Sequence, residues 1–512
     1  MIHQILSLVF NTKRQQFIED SHSLERIQKQ KLETIFRALK AVPHYAHLRS
    51  CKDILNLPIT TYSDYEELIQ TQIETGQPIL SKKVARYEYT SGSTKNQKKI
   101  PYTKSFLNEI NEASSVWMSD LYHKYPEIKS GPHYWTLSWS PNQDTDDSEL
   151  FPFIQRFFLQ KVLLLNQKIK STPTLESSWF ATLVNLIACR NLSLISIWSP
   201  TLLMRIKRDI QDMAPQIWRT LNEGTWAEYS RELSGLLPVP RFDRRIGLTD
   251  LVDFNVKVIW PNLTLISAWD SATSRFYFDE LKRQFPDLRF QGKGLWATEG
   301  VITIPFDEQK VLAFKSHYYE FKCVQTGKLI PSWELEKDQI VEPVVSSSNG
   351  LVRYLIEDRI QVSGFYNSVP CFEFLGRNGT SDFVGEKLTD LDFQNLQKEL
   401  LKKFPIKTVV FLAVSANIPY YQCVCQMNEN NQFNSENIQI FIEKILLNNF
   451  NYKVARDLHQ LRGIQISFTN DMTKCLDVLA ASYAAQGQFK VLSLYRINNE
   501  ILTLLSDVTS RE

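Results

Sequence analysis

The residues with the clearest chemical potential form a run of hydroxyl and glycine residues that is followed by a lysine. The run is Thr90, Ser91, Gly92, Ser93 and Thr94, and Lys98 lies shortly after it. Hydroxyls and open backbone amides in a turn donate hydrogen bonds to phosphate oxygens, and a nearby lysine adds a mobile positive charge. The Walker A pattern G-x-x-x-x-G-K-[ST] is absent, so a P-loop is not predicted. The pattern favours a phosphate-binding loop, and a solvated turn is the alternative.

A second group lies where a predicted strand ends, at Thr298, Glu299 and Gly300. A carboxylate beside a hydroxyl can hold Mg²⁺ and contact the phosphate that the metal neutralises. Glu299 is therefore a candidate metal ligand. The alternative is a strand-end turn with an exposed glutamate.

The third group is the segment 350–358, which is predicted to be a buried strand that ends in Asp358. A carboxylate at a strand end can accept hydrogen bonds from ribose hydroxyls, as at other nucleotide sites. The alternative is a strand capped by an acidic turn.

The fourth group lies near the C-terminus, where Lys490 follows Gln488 and Phe489. A lysine in this segment can be brought to an anionic intermediate. An ordinary surface lysine is the alternative.

Alternating helical and strand patterns predict an α/β fold that positions these groups. The first forty residues predict helix, because Leu32, Ile35, Phe36 and Leu39 recur at helical spacing. Segments 256–260 and 263–267 predict buried strands, 274–284 predicts a helix, and a short strand begins at Phe290.

The C-terminal part has the pattern of a separate small α+β domain. We predict a large N-terminal domain at 1–376, a hinge at 377–387 and a C-terminal cap at 388–512. Within the cap, the pattern predicts helices at 388–404 and 438–447 and strands at 408–414, 420–427 and 464–468.

Composition excludes several classes of protein. The chain has 512 residues, with 58 Lys and Arg against 56 Asp and Glu, so a basic nucleic-acid-binding surface is not predicted. The hydrophobic share of 43% supports a large core rather than disorder. The most apolar long window, 180–198, is interrupted by Asn185, Arg190 and Asn191, so no membrane span is expected. Seven scattered cysteines and no predicted signal segment favour a reducing, cytoplasmic location.

Taken together, the four groups resemble the adenylate-forming enzymes, and more closely the acyl acid–amido synthetase family that includes the auxin- and jasmonate-conjugating enzymes of plants. The similarity extends over nearly the whole chain, in the expected order. The matching positions are 90–94 with Lys98, Ile100 and Pro101; 260–263 up to Trp269; 298–300; Gly350, Leu351, Arg353, Tyr354 and Asp358; 364–367, Pro370 and Phe374; and 488–490.

The resemblance implies both a fold and a reaction. The fold would be a large adenylate-forming domain, with helix-flanked sheets and a β-barrel-like part, followed by a smaller mobile α+β domain. The reaction would join a carboxylic acid to ATP as acyl-AMP and then pass the acyl group to an amine, commonly that of an amino acid.

The same resemblance implies roles for individual residues. ATP and Mg²⁺ would be required, with Glu299 on the metal and Lys98, Lys490 and Arg377 as catalytic residues. The residues implied to contact ATP or AMP are Thr90, Ser91, Gly92, Ser93, Thr94, Ala297, Thr298 and Asp358.

The pocket for the acid is expected within 110–240, a region rich in aromatic residues. These residues suit an apolar or aromatic acyl group, although such residues more often form core. The aromatic candidates are Trp117, Trp135, Trp139, Phe157, Phe158, Trp179 and Trp198. His123, His133 and Arg156 are further candidates to meet a substrate carboxylate.

Two alternative functions stay open at this point. The acyl group could pass instead to a thiol, such as coenzyme A or a carrier protein. The chain could also be a degenerate nucleotide-binding protein without activity, because Lys95 and Asn96 stand where the phosphate loop of the family usually carries small residues. The sequence does not name the acid, the amine or the oligomeric state.

Overall fold

The computed structural model describes residues 2–90, 98–136, 162–164, 167–243, 245–272, 274–377, 380–381, 383–428, 435–483 and 491–509. The α-helices are α1 Ile2–Asp20, α2 Leu24–Leu39, α3 Cys51–Ile54, α4 Glu66–Thr75, α5 Lys104–Lys124, α6 Leu175–Ala188, α7 Pro200–Asp212, α8 Ala214–Glu223, α9 Ser230–Leu233, α10 Leu248–Val252, α11 Val256–Ile259, α12 Ser274–Gln284, α13 Asp390–Lys403, α14 Ser435–Leu446, α15 Phe450–Asp457, α16 Met472–Tyr483 and α17 Asn499–Ser506.

The strands are β1 Val84–Tyr89, β2 Lys99–Thr103, β3 His133–Trp135, β4 Leu194–Ser196, β5 Leu265–Ala268, β6 Arg289–Gly292, β7 Trp296–Ala297, β8 Gly300–Val301, β9 Thr303–Phe306, β10 Gln309–Leu312, β11 Tyr318–Cys323, β12 Leu329–Pro331, β13 Ile340–Ser346, β14 Tyr354–Leu355, β15 Asp358–Tyr366, β16 Val369–Arg377, β17 Thr380–Ser381, β18 Leu388–Thr389, β19 Ile406–Val414, β20 Tyr420–Met427, β21 Gln465–Phe468 and β22 Leu494–Ile497.

The predicted N-terminal helical region is two helices, α1 and α2. On α2 the side chains of Leu32, Ile35, Phe36 and Leu39 are buried, which confirms the predicted apolar face. Because apolar side chains at this spacing share one side of a helix, α2 packs that side into the core around strand β11.

A four-stranded parallel sheet forms the centre of a second apolar core. Its order is β3-β4-β5-β6, and Trp135, Ser196, Ser267 and Gln291 lie side by side in register. Parallel strands bring all their carboxyl ends to one edge, and ligands usually bind at that edge. The segments that follow these strands are therefore candidates for a binding site.

One predicted strand is wrong. Residues Val256–Ile259 form the short helix α11 instead of a strand. A segment of four residues is too short for its pattern of apolar and polar residues to distinguish a strand from one helical turn. Packing decides the conformation, because the buried Trp260 donates its indole N–H to the carbonyl oxygen of Leu186 at 2.8 Å. The neighbouring prediction is confirmed, since β5 at Leu265–Ala268 overlaps the predicted strand at 263–267.

The larger sheet is antiparallel and has eight strands. Its order is β12-β11-β13-β15-β16-β10-β9, and β14 pairs with β13. Among the described residues no pairing joins β12 to β9. Two small hairpins, β1–β2 and β7–β8, carry the residues that flank the predicted phosphate loop and the acidic turn.

The chain divides into two compact units. The larger unit contains residues 1–271 and 276–374, and the smaller contains 272–275 and 375–512. The smaller unit has a mixed four-stranded sheet of order β21-β20-β19-β22 and its own apolar core. The predicted cap helices and strands are present there, and strand β20 has the predicted bounds. The predicted hinge at 377–387 stays a prediction.

These elements confirm the predicted α/β class, with a large N-terminal region and a smaller C-terminal one. No helix in the described ranges has both the length and the apolar character needed to cross a membrane.

Candidate active site

A chain of hydrogen bonds joins three of the predicted groups. Nζ of Lys98 donates to the hydroxyl of Tyr354 at 3.4 Å, and that hydroxyl donates to Oε1 of Glu299 at 3.2 Å. Lys98 directly precedes β2, Glu299 lies in the turn between β7 and β8, and Tyr354 begins β14. Segments separated by up to 256 residues along the chain therefore meet at one place.

The electrostatics of this relay favour a neutral phenol at its centre. Burial, followed by the negative charge of Glu299, raises the pKa of Tyr354 above its ordinary value near 10. Tyr354 therefore stays protonated and donates a hydrogen bond to the carboxylate of Glu299, while its oxygen accepts a hydrogen bond from Lys98. We call these three side chains the Lys98–Tyr354–Glu299 relay.

The base of the predicted phosphate loop is fixed by backbone contacts. The amide of Thr90 donates to the carbonyl oxygen of Lys98 at 3.0 Å, and the amide of Lys98 donates back to Oγ1 of Thr90 at 3.3 Å. The Lys98 ammonium lies 5.8 Å from the centre of the Tyr62 ring. Ser91, Gly92, Ser93 and Thr94 lie outside the described residues, so their phosphate contacts stay a prediction.

The acidic turn is held from two sides. On one side, the hydroxyl of Tyr102 donates to the carbonyl oxygen of Thr298 at 3.0 Å. On the other, the amide of Val301 donates to Nε2 of His317 at 3.2 Å. Ala297 pairs with Gly300 across the hairpin, so the turn that carries Glu299 has a fixed geometry.

His317 is in turn oriented by a buried carboxylate. Because Nε2 accepts from Val301, the ring proton is on Nδ1, which donates to Oε2 of Glu109 at 3.0 Å. A Cβ added to Gly300 would lie 3.2 Å from Nε2, so glycine permits this close approach. Tyr102, His317 and Glu109 support the site, and no pattern in the sequence indicated them.

The segment before Asp358 is held by residues near the N-terminus. The hydroxyl of Tyr45 donates to the carbonyl oxygen of Gly350 at 2.6 Å, and the hydroxyl of Tyr65 bonds to both backbone groups of Val352. Arg353 has a positive φ of 48° and lies between these contacts and Tyr354. The backbone of this segment is therefore specified by tertiary contacts rather than by a continuous strand.

Arg353 supports the segment rather than facing a ligand. Its guanidinium makes two bonds of 2.9 Å to the carboxylate of Glu320 and also donates to the carbonyl oxygens of Leu55 and Leu57. The planar guanidinium can donate to the carboxylate and to both carbonyl oxygens at once, which a lysine ammonium cannot do.

The position of Asp358 corrects the sequence prediction. Asp358 is the first residue of β15, whereas we expected it at the end of a strand that begins near Gly350. The predicted strand is interrupted because only Tyr354 and Leu355 pair, with Val345 and Val344 of β13. Asp358 is buried, and its contact with a ribose stays a prediction.

A pocket lies at the carboxyl edge of the parallel sheet. Its walls come from helix α5, from the ends of β3 and β4, from the residues just after β6, and from β7. The lining residues are Ser114, Trp117, Trp135, Thr136, Ser196, Ile197, Trp198, Lys293, Gly294, Trp296 and Pro305. We call this the tryptophan pocket.

The tryptophan pocket includes part of the predicted acid-binding region. Trp117, Trp135 and Trp198 line it as a group, whereas Trp179 instead donates its indole N–H to Asp209. Trp139, Phe157, Phe158 and Arg156 lie outside the described residues. Lys293 and Trp296 were missed because they lie beyond the predicted range.

His133 does not line the tryptophan pocket. It is completely buried at the start of β3, with Nε2 3.0 Å from the carbonyl oxygen of Ile128. Burial lowers the pKa of His133 to about 3. It is a core residue, and His123 is an exposed residue in the last turn of α5.

Two predicted catalytic side chains are not described by the structure. Lys490 lies outside the described residues. Arg377 is the last residue of β16, and its side chain is likewise not described. Their roles stay predictions.

The folding pattern is that of the acyl acid amido synthetases. A solved structure described as "GH3.15 acyl acid amido synthetase" superposes with a TM-score of 0.78 and 17% identity, covering 97% of this chain and 96% of that chain. A second, described as "AtGH3.15 acyl acid amido synthetase in complex with 2,4-DB", gives 0.79 and 17% with the same coverage. At this identity the similarity shows the fold.

Sequence comparison then gives the family. The profile of the GH3 family N-terminal domain matches residues 13–290, and that of the GH3 family central domain matches residues 310–377. The first match alone spans more than half of the chain. The chain belongs to the GH3 family, which confirms the resemblance stated from the sequence.

Two curated relatives are plant proteins. "Indole-3-acetic acid-amido synthetase GH3.15" of Arabidopsis thaliana is 20% identical over an alignment of 368 residues that covers 63% of this chain and 62% of the relative. "Probable indole-3-acetic acid-amido synthetase GH3.11" of Oryza sativa subsp. japonica is 28% identical over an alignment of 166 residues that covers 27% of each protein. The matched segments thus span less than two thirds of these relatives' length.

Proposed function

We propose that this chain is an ATP-dependent acyl acid–amido synthetase. It would convert a carboxylic acid to acyl-AMP and transfer the acyl group to the amine of an amino acid. The observation that carries the proposal is the Lys98–Tyr354–Glu299 relay, because it unites the base of the phosphate loop, the acidic turn and the ribose segment. Membership of the GH3 family and the names of the relatives support it.

The first step requires stabilisation of negative charge. A carboxylate oxygen of the acid forms a bond to the α-phosphorus of ATP while the bond to pyrophosphate breaks. Lys98 would offset charge on the phosphate oxygens, and the hydroxyl of Tyr354 holds its ammonium in place beforehand. We assign Lys490 as a second cation for this step and Arg377 as a residue near the pivot of the C-terminal domain.

The acidic turn suits a magnesium ion that is shared with the substrate. Mg²⁺ commonly binds one or two carboxylates together with substrate phosphates. Glu299 would supply one such carboxylate, and its Oε1 accepts a hydrogen bond from the hydroxyl of Tyr354. The part of the chain that the structure describes has no group of three or more His, Cys, Asp or Glu residues that would hold a metal alone. When bound, the ion would neutralise phosphate charge.

The second step forms the amide. The amine nitrogen bonds to the carbonyl carbon of acyl-AMP, the bond to the phosphate oxygen breaks, AMP leaves, and the nitrogen loses a proton to solvent. The tryptophan pocket would hold the acyl group, because its indole walls favour an apolar or aromatic group. We place this reaction in the cytoplasm, where the seven unpaired thiols would stay reduced.

ATP–pyrophosphate exchange across a panel of carboxylic acids tests the proposal. The wild-type chain should exchange pyrophosphate with at least one acid, and Glu299→Gln should lower that rate by orders of magnitude. Glu25→Gln is the matched control, because Glu25 lies on the surface in an exposed i,i+4 pair with Lys29. Mass spectrometry with mixed amino acids should then detect an amide.

Two results would contradict the proposal. Nucleotide binding without exchange for any acid would indicate a degenerate binding protein. Exchange followed by an acyl-thioester, with no amide from any amino acid, would indicate transfer to a thiol.

A further inference from the structure

Lys293 is a buried lysine in the wall of the tryptophan pocket. It follows the last residue of β6, and its backbone amide donates to the carbonyl oxygen of Ala268 at 3.0 Å. The side chain is 7% exposed, and Nζ donates to Oγ of Ser196 at 2.8 Å. The ammonium therefore has a fixed position at the carboxyl edge of the parallel sheet.

Two indole rings enclose this ammonium. Nζ lies 4.6 Å from the centre of the Trp117 ring and 4.9 Å from that of Trp198. Both distances are within the range of cation–π attraction. Trp117 is itself held, because its indole N–H donates to Gln291 at 3.0 Å. These contacts hold the ammonium in a cavity whose wall combines indole rings with the hydroxyl side chains of Ser114, Thr136 and Ser196.

A buried ammonium in the wall of this pocket favours the binding of a ligand that carries a negative charge. Little water reaches the ammonium, so its attraction to an anion is screened less than at the surface. A carboxylate is the anionic group that an aromatic acid would bring into the cavity, and charged hydrogen bonds are the stronger ones. The indole faces would meanwhile contact the ring.

We propose that Lys293 recognises the carboxylate of the acyl substrate and positions it before adenylation. This inference deepens the proposed function, on which it rests for the identity of the substrate. Trp296 lines the same pocket and is followed by Ala297 and Thr298, so one continuous backbone segment connects the pocket wall to the acidic turn. Lys293 is a specificity and positioning residue in this scheme.

The chemistry of the first step explains why a positioning contact suits this residue. Bond formation between the carboxylate oxygen and phosphorus removes the negative charge that attracts Lys293. The contact is therefore strongest for the free acid and weaker for the acyl group of acyl-AMP. Removal of Lys293 should affect the KM for the acid more than the KM for ATP.

Calorimetric titration without ATP tests the recognition of the carboxylate separately from catalysis. The full-length chain is titrated with benzoate, phenylacetate and 4-phenylbutyrate and with the primary amide of each, which has similar shape without the charge. The wild type should bind at least one acid about tenfold or more tightly than its amide. In Lys293→Met this preference should fall below about twofold, with the affinity for the amide little changed.

Controls keep the test informative if Lys293→Met folds poorly. Lys29→Met replaces an exposed lysine and should retain the wild-type preference. Ser196→Ala removes only the hydrogen bond that aims the ammonium, and it should reduce the preference several-fold. Thermal unfolding identifies any variant that has lost its structure.

The outcomes separate this inference from the proposed function. A preference for the acid that persists in folded Lys293→Met, or in Ser196→Ala when the first variant does not fold, overturns the role of Lys293. Equal binding of acid and amide by the wild type, or no binding of any of the acids, also overturns it. Suppose that the preference for the acid depends on Lys293 but no acid supports pyrophosphate exchange. That result would support the proposed role of Lys293 and refute the proposed synthetase activity.

Discussion

The hydroxyl of Tyr354 donates to Oε1 of Glu299 across 3.2 Å, which ties β14 to the turn between β7 and β8. The same oxygen accepts from Lys98. A single phenol therefore sets the distance between a positive group and a negative group that the proposed reaction uses on the same substrate.

Tyr354→Phe should lower pyrophosphate exchange while leaving the chain folded. The ring keeps its packing, but the hydrogen bonds to Lys98 and Glu299 are lost. The expected loss is about 10- to 100-fold, because a hydrogen bond to a charged group contributes about 1.5–3 kcal/mol. Tyr229→Phe, which alters a tyrosine stacked on Phe180, is the control. Unchanged exchange in Tyr354→Phe would show that the relay is only structural.

His317 should control the metal dependence of the reaction without touching the substrate. His317→Phe removes the acceptor for the amide of Val301 and loosens the turn that carries Glu299. The Mg²⁺ concentration for half-maximal exchange should rise about tenfold, as for other residues that orient a metal ligand.

His317→Gln is the conservative variant for that measurement. Its side-chain oxygen can accept from Val301, so it should restore part of the Mg²⁺ affinity. A purely structural role for His317 predicts equal metal dependence in both variants, and that result would refute the assignment.

Arg353→Lys should destabilise the larger unit. A lysine keeps the charge but cannot make both bonds to Glu320 together with those to Leu55 and Leu57. Disruption of this buried pair should lower the free energy of unfolding by about 3 kcal/mol. Urea unfolding measures the change, and Arg37→Lys, in an exposed pair with Glu33, should differ little from the wild type.

Gly350→Ala should also destabilise the chain. Gly350 has φ of 100°, and an added Cβ would lie 2.4 Å from the carbonyl oxygen of Leu80. The expected loss is about 2 kcal/mol or more, since both strain and overlap oppose the new side chain. Gly364→Ala is the control because a Cβ there meets open space. Equal unfolding midpoints for the two variants would contradict this account.

Acid should weaken the fold through His133. Its pKa is lowered by burial to about 3, so below pH 6.5 the unfolded chain binds a proton that the folded chain does not. The free energy of unfolding therefore falls as the pH decreases from 6.5 towards 3. Between pH 7 and pH 5 this residue should account for about 2 kcal/mol.

Urea unfolding of His133→Phe at the two pH values checks the assignment. The variant should lose most of that difference; the neighbouring His3, whose pKa burial also lowers, still contributes. The exposed His22→Phe should keep the wild-type pH dependence. A full wild-type pH dependence in His133→Phe would exclude His133 as the source.

Local patterns predicted the elements well where one period was clear. Helix α12 and strand β20 have the predicted bounds. Tyr277, Phe278 and Leu281 of α12 follow helical spacing, whereas β20 is a short run whose first six residues are all buried. The strand prediction at 256–260 failed because the segment is short and the packing of Trp260 decides its form. Asp358 was misplaced because the break before it depends on Arg353 and its tertiary partners.

The site was predictable as a set of motifs but not as a set of contacts. Lys98 and Glu299 were identified from residue type and position, whereas the bridge through Tyr354 spans 256 residues and has no local signal. Lys293 resembles any other lysine in the sequence. The parallel register of β3 to β6 brings it beside Ser196 and Trp198, and Trp117 reaches it from helix α5.

The contacts of Tyr45 and Tyr65 with the segment 350–352 join residues that are translated about 300 positions apart. During synthesis, Tyr45 and Tyr65 leave the ribosome long before the segment 350–352, so these contacts form only late. Closing so large a loop is also slow. These contacts are therefore among the last parts of the larger unit to assemble. A nascent chain arrested before residue 350 would contain the tryptophan pocket's sequence but would lack the contacts of Tyr45 and Tyr65 with the segment 350–352.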